Sequence, residues 1–466
     1  MTSLDHAIKM SNKQKIMWAI TIVITLGVFL IPVSEAFTSQ LRLYFAITVC
    51  AILLFAFELL DSFIVALALP VAYILTKLTD AGTAFSVWSN TTLWMMLGAM
   101  LLGNALERTG LLKRICYWLM LKAKGSFIKL IWAYFLAGVI ANYCVSSGGI
   151  VLFCLISFSL IKSFGFTKDS NESAILMALA YFAGNSLPVC LSYGAQIDMY
   201  MNLGRKIIPD LSLGWFEYAI YNIAFLPFMI LVIWVMYKFV LKPKTKTFDT
   251  MAIQKEYDTF GKISLSEKKA IIITVVTLCC LIFNAQLNLA VAWVFVIAGI
   301  ICFLPGVNIA DKECIRGVNF EMLFFMAGCL TIGTVGLNLG MAAIIKSYLA
   351  SLMTGSFMQA SAVVWIFAFL ANKIMTPLAA GAAFCPAITQ LCVDFGFNPV
   401  PIYLVMCNCF DNVLFPYESA PALMVYSFGM IKMSKFIKIM GVKALLNFVW
   451  ILLIMVPYWA LLGILY

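Results

Sequence analysis

Apolar blocks too long for ordinary core segments dominate the chain. Met17 to Ile31, Leu43 to Leu59, Ile271 to Ile282 with its continuation, and Val449 to Leu465 carry almost no charge. A hydrocarbon layer roughly 30 Å thick needs about 20 apolar residues in helical form to cross it. The blocks lack the period-two alternation of barrel strands, so they predict α-helices. Short polar loops separate them, and the one long hydrophilic stretch runs from Lys238 to Lys269. The pattern predicts an all-α polytopic membrane protein.

Composition agrees. Hydrophobic residues make up 64% of the 466, charged residues 11%, and the mean hydropathy is +1.01. A soluble domain carries roughly 25% charged residues, so a soluble class is excluded. The net charge of +10 does not indicate nucleic acid, because the basic residues lie in short loops, as the positive-inside rule expects. Met1 to Lys15 is a polar lead with Lys9, Lys13 and Lys15, and it reads as a cytoplasmic tail before a retained span. The fourteen cysteines are scattered singly in apolar blocks and read as small packing residues. His6 is the only histidine, so a metal site and most intramembrane hydrolytic chemistry are excluded and no enzyme is expected.

The chain also repeats itself. Gly98, Gly103 and Gly110 recur as Gly328, Gly333 and Gly340 at one offset of 230. Ala141-Asn142 recurs as Ala371-Asn372, and Asn185-Ser186-Leu187-Pro188 is echoed by Asn412-Val413-Leu414-Phe415-Pro416. After the first glycine set, Arg108, Lys113, Arg114, Lys122, Lys124 and Lys129 crowd one stretch, whereas its counterpart, Asn338 to Gln359, holds only Lys346. Equivalent segments therefore read as lying on opposite faces, an inverted-topology repeat of the kind found in secondary transporters. Lys432, Lys435, Lys438 and Lys443 place a loop before the last span inside. A cytoplasmic amino terminus and an outside carboxyl terminus then need about eleven crossings plus two re-entrant hairpins. The expected divisions are 1–80 as scaffold, 81–240 as the first repeat, 241–269 as a cytoplasmic linker and 270–466 as the second repeat with the last span.

Breaks inside the apolar blocks are the candidate working parts. Ser146, Ser147 and Gly148 interrupt one hairpin, and Thr376 and Pro377 interrupt its counterpart. Broken helices survive at membrane depth where they line a cavity, and their amino termini offer free N–H groups to an anion. A second pair of breaks supplies Asn185, Asp411, Asn412 and Ser419. Glu418 is singled out as a candidate for ligating a coupling cation or carrying a proton, with Asp411 behind it; a salt bridge to Lys373 is the structural alternative.

Four segments then resemble the divalent anion/sodium symporter (DASS) family of the wider ion-transporter superfamily. They are LGAMLLGNALERTGLLKR from Leu97, the stretch Val318 to Leu349, the hairpin from Ala371 to Pro386, and Asn412 to Val442 with FPYESAPALMVYSFGMI. The resemblance implies an elevator-type carrier, a substrate carboxylate and sodium held at the hairpin tips, and a homodimer. The family's Ser-Asn-Thr tips appear here as Ser146-Ser147-Gly148 and Thr376-Pro377-Leu378, without either asparagine. Ser89-Asn90-Thr91 has the right letters but lies ahead of a scaffold-like span, and is taken as coincidence.

The expected function is secondary transport of a small anion, a di- or tricarboxylate or sulfate, across the plasma (inner) membrane, coupled to sodium or protons. A sodium-independent carboxylate exchanger and a non-transporting sensor are the alternatives. No cofactor beyond a coupling sodium ion is expected.

Overall fold

The structure, a computed structural model, describes residues 12–466 apart from 36, 58, 145–148, 169, 285, 288, 353–354 and 374. Helices account for all the regular structure among the described residues, apart from one isolated bridge between Ser126 and Thr247. After an entry helix α1 (Asn12–Val28), a series begins with α2 (Ser39–Ala56), α3 (Ser62–Leu75) and the short α4 (Ala81–Phe85). It continues through α5 (Thr91–Thr109), α6 (Leu111–Leu121), and a hairpin of α7 (Phe127–Cys144) and α8 (Gly149–Ser163). The broken segment α9 (Asn171–Tyr181), α10 (Leu187–Leu191) and α11 (Ala195–Gly204) completes it.

A connecting region follows, made of α12 (Trp215–Asn222), α13 (Phe225–Val235) and the linker helix α14 (Met251–Asp258). The same order then recurs: α15 (Leu265–Ile282), α16 (Val291–Ile301), short α17 (Lys312–Arg316), α18 (Phe320–Asn338) and α19 (Met341–Ala350). A second hairpin of α20 (Phe357–Ala371) and α21 (Pro377–Phe395) precedes a second broken segment, α22 (Pro399–Phe410) and α23 (Ala420–Ser427). The chain closes with α24 (Met433–Trp450) and α25 (Val456–Leu461).

Contacts repeat as well as order. Gly98 of α5 lies against α16, where an added Cβ would come 2.5 Å from the Val296 nitrogen. Gly328 of α18 lies against α3, where a Cβ would sit 3.3 Å from Ala66. Adding 230 turns Gly98 into Gly328 and Ala66 into Val296, so each contact is the other with the copies exchanged. Gly110 and Gly340 both take the left-handed conformation, with φ of 77° and 82°, and turn each long helix into the next. Only glycine enters that region without steric cost, which explains its recurrence.

The core runs through the second halves of the copies. Every residue of α22 is buried, as is nearly every residue of α9 and the larger part of α21. The outer helices expose Val23, Leu75, Ile272 and Leu453, the reverse of a water-soluble surface. Asn171–Gly204, Phe320–Asn338, Pro377–Phe395 and Met433–Leu461 are long and apolar enough to cross a membrane unaided. The bent pair Trp215–Asn222 and Phe225–Leu241 forms one more such stretch, and shorter apolar helices fill in between.

Polar clamps hold the linker. Arg114 is buried and pairs with Glu267 at 2.5 Å, while its guanidinium donates to the carbonyls of Phe260 and Gly261 at 2.8 Å each. Glu172 accepts from the backbone N–H groups of Lys244 and Thr245 at 2.7 and 3.0 Å. One expectation is corrected here: Lys443 is not in a loop. It lies within α24 and is 1% exposed, because Asp411 holds its ammonium inside the protein. Lys435 and Lys438 also belong to α24.

The glycine seams are testable. Gly98→Ala is expected to cost about 1–3 kcal/mol through overpacking, read as a lower Tm in detergent. Gly328→Ala, which meets its neighbour at 3.3 Å, should be close to neutral. Equal losses would contradict the tighter seam at Gly98.

Candidate functional site

The two hairpins and two broken segments meet in the buried half of the protein. Pro377 opens α21, and Thr376 stands at the N-cap position with extended backbone. The Thr376 hydroxyl is buried and has no hydrogen-bond partner, as are the side-chain carbonyl oxygens of Asn372 and Asn412 and the Ser186 hydroxyl. Buried polar atoms are almost always paired, so the grouping of Asn372, Thr376 and Asn412 at the hairpin shoulder and the second break points to a place where something else can bind. Ser146, Ser147 and Gly148 lie outside the described residues.

The first hairpin is held to its broken segment by polar posts. Asn142, at the end of α7, donates to the carbonyls of Gly138 and Ala183 at 2.7 and 2.6 Å. Ser192, at the break before α11, donates back to the Asn142 carbonyl at 3.0 Å. Gly184 allows the close approach, since a Cβ there would come 2.5 Å from the Ile150 Cα.

In the second break Glu418 folds back on its own chain. Its carboxylate accepts from the N–H groups of Leu414 and Phe415 at 3.1 and 2.9 Å and pairs with Lys373 at 2.5 Å. Asn372 approaches the same carboxylate at 3.5 Å, so Glu418 fastens the shoulder of the second hairpin to the break. Lys373 is further held over the Phe369 ring at 4.1 Å. The charge is thus met by one cation and two backbone donors.

Asp411 ties the two copies together. Its carboxylate pairs with Lys443 at 2.5 Å and accepts from Asn185 at 2.7 Å, while Tyr181 donates to its backbone carbonyl at 3.2 Å. Asn185 and Asp411 are therefore brought into contact across 226 positions of chain. Asn412 donates to the Asn408 carbonyl at 2.6 Å, leaving its own oxygen free. Ser419 caps α23, accepting from the Ala422 N–H at 3.3 Å.

The copies differ in how their hairpins sit. α21 lies along α18 and α19, and at Gly333 an added Cβ would come 2.7 Å from the Ala382 carbonyl. Between its counterpart α8 and the α5–α6 pair lies a cavity of about 490 Å³, bridged where Tyr117 approaches Ser159. Leu152, which matches Ala382 at the offset of 230, lines that cavity together with Leu155, Lys113 and Glu256.

Sequence reasoning missed Asp198, Thr92, Tyr193 and Asn202, which form a buried polar cluster between α11 and α5. A carboxylate in the apolar run Ile197 to Leu203 was the available signal. Ser89-Asn90-Thr91 adjoins the same cluster: Asn90 caps α5 through the Thr92 N–H at 2.9 Å, and the Thr91 hydroxyl accepts from Asn202 at 3.2 Å.

The fold has known counterparts. It is similar to the Alcanivorax borkumensis YdaH transporter, with a TM-score of 0.56 at 16% identity over 84% of this chain and 89% of that one. The Neisseria gonorrhoeae protein MtrF, described among antimetabolite efflux pumps, gives 0.53 at 13% identity over 95% and 94%. In sequence, the chain is 23% identical over 456 residues to a chloroplastic dicarboxylate transporter of Arabidopsis thaliana, covering 90% of this chain and 79% of that protein. The family described as "Sodium:sulfate symporter transmembrane region" matches residues 12–465. With that match running over nearly its whole length, the chain belongs to the sodium:sulfate symporter family and is a membrane transporter, not an enzyme.

Proposed function

We propose that this protein is an elevator-type secondary carrier of a small anion, a di- or tricarboxylate or sulfate, coupled to sodium or protons. The observation that carries the reading is the unequal seating of two matching hairpins. A packed hairpin on one side and a cavity at the matching place on the other is what one of two alternating states looks like in a duplicated carrier. In the other state α8 would close on α5 and α6, and α21 would part from α18 and α19. The cavity borders Lys113 and the lysine-rich linker, so under the positive-inside rule the carrier is open to the cytoplasm. This orientation puts the two copies in opposite senses, the amino terminus inside and the carboxyl terminus outside. About eleven crossings result, with the two hairpins re-entering.

The unpartnered oxygens of Asn372, Thr376 and Asn412 support a seat for a coupling cation or for water beside it, because a hard cation takes oxygen ligands. The substrate anion would rest on the amino termini exposed at the breaks. The altered tip triplets favour a second reading, sodium-independent exchange of one carboxylate for another. A plasma (inner) membrane location and a homodimer complete the proposal.

In proteoliposomes, labelled succinate, citrate and sulfate should be tested under separate sodium and proton gradients and in counterflow. Uptake of at least one anion is expected, and counterflow that ignores both gradients would select the exchanger. Absence of flux for all three would remove this substrate class. For the alternating cavity, Leu155→Trp fills space that α8 must cross. Turnover is expected to fall by about tenfold, corresponding to 1.4 kcal/mol on the barrier, with substrate binding little changed. Wild-type turnover would show that the cavity does not close.

A further inference from the structure

Seven acidic or basic side chains are buried among the described residues: Arg114, Glu172, Asp198, Glu267, Asp411, Glu418 and Lys443. Six are matched by opposite charge or backbone N–H groups. Arg114 holds Glu267, Lys443 holds Asp411, Lys373 and two N–H groups hold Glu418, and two N–H groups hold Glu172. Asp198 is the exception, with no ion pair among the described residues. Its Oδ2 accepts from the Thr92 hydroxyl at 2.6 Å and the Asn202 amide at 2.9 Å, and its Oδ1 accepts from the Tyr193 hydroxyl at 3.0 Å. These donors are neutral. A buried carboxylate without a cation is costly in its charged form, and a proton removes that cost.

The surroundings compensate the carboxylate only in part, since the charge of Arg205 acts on it from beside Tyr193 without forming an ion pair. Arg205 is the nearest cation along the helix, and its guanidinium is spent on the Leu211 carbonyl at 2.9 Å and the Asn202 side-chain oxygen at 3.3 Å. Lys206 reaches away to Thr334 of α18 at 2.8 Å. From α21 the titratable group against α11 is Cys385, bonded to the Tyr200 carbonyl; from α22 they are Tyr403, its ring tilted against Tyr200, and Cys407 and Cys409. On α5 the facing groups are the hydroxyls of Thr91 and Thr92.

Position gives the site a use. Tyr193 follows Ser192, which is bonded to the shoulder of the first hairpin, whereas Thr92 belongs to α5. Asp198 is thus a tie between the broken segment and the helix that would stay still in the carrier proposed above. Half-buried Asn202 and Arg205 lead from it towards the surface, a route for water and protons. We infer that Asp198 is a proton-binding site that couples transport to pH: a proton taken from water on one side neutralises its carboxylate, loosens α11 from α5, and is returned to water on the other side. The inference rests on the transport reading, and it specifies the coupling ion.

The tests separate the two. In proteoliposomes, Asp198→Asn is expected to reduce accumulation of labelled succinate driven by a pH gradient about tenfold, within the usual range of coupling energies, and to leave succinate counterflow within about twofold. Thr92→Val removes a donor to the charged form and should move the midpoint of the pH profile upward. An unchanged pH profile in both variants would overturn the inference while leaving transport intact. Infrared difference spectra of the purified protein across a pH jump need no transported substrate. A protonated-carboxyl band in wild type that is missing from Asp198→Asn is expected. The same spectrum in both would overturn the assignment even if no flux of any anion is found.

Discussion

A helix that stops inside a hydrocarbon layer strands as many as four N–H or four carbonyl groups, and no water is at hand to take them. Among the described residues this chain interrupts its apolar helices before α11, before α21 and before α23, and the arrangement around these points follows from that cost. Glu418 takes the N–H groups of Leu414 and Phe415, Ser419 takes that of Ala422, and Ser192 meets the carbonyl of Asn142. Each carboxylate brought in for such work adds a charge of its own, and so Lys373 and Lys443 are drawn in after Glu418 and Asp411. The polar interior is a consequence of the breaks. What remains unpaired once they are served is then informative, and on these segments it includes Ser186, Ser361, Asn372, Thr376 and Asn412.

Duplication explains why the breaks come in pairs, and the inequality of the copies explains what the pairs permit. Contacts such as Gly98 on Val296 and Gly328 on Ala66 survive exchange of the copies, so the helices they join form a symmetric frame. The hairpins do not obey the exchange: α21 is seated and α8 is not. Two arrangements of equal chemical kind, related by swapping the copies, are expected to lie close in energy. A closely packed frame carrying a bistable part moves between discrete seats instead of deforming smoothly.

Much of this was legible in the sequence, in the features that depend on local pattern. Apolar block length gave the class, the glycine offset pointed to the paired contacts of Gly98 and Gly328, and Thr-Pro marked the start of α21. Contacts between distant segments were beyond it. Nothing local in Asn185 says that it meets Asp411, and Lys443 looked like a loop lysine because positive charge near a span end usually is one. Its burial depends on a carboxylate 32 positions earlier. Asp198 failed to stand out for a related reason. Its partners Thr92 and Asn202 are ordinary cap and helix residues until the fold brings them together. The Ser89-Asn90-Thr91 triplet was set aside as chance, yet Asn90 starts α5 at the height where Thr91 and Thr92 reach α11.

What crosses a seam decides whether it can slide. Within the first hairpin and its broken segment, Asn142, Ser192 and Gly184 make directional bonds and interlocked backbone, so those elements are packed as one unit. Between α21 and the α18–α19 pair the seam is small-residue packing, Gly333 on Ala382. The edge pair Lys346 and Asp394 adds a side-chain tie across it. Apolar surfaces of that kind shear with little loss, since each contact given up is replaced by another like it. The Thr92–Asp198 bond is different in kind, because a charged acceptor in a buried seam loses more than a neutral one when a donor is exchanged for a worse one. A seam otherwise free to slide is therefore pinned where a single carboxylate lacks a cation, and the state of that carboxylate is what can release it.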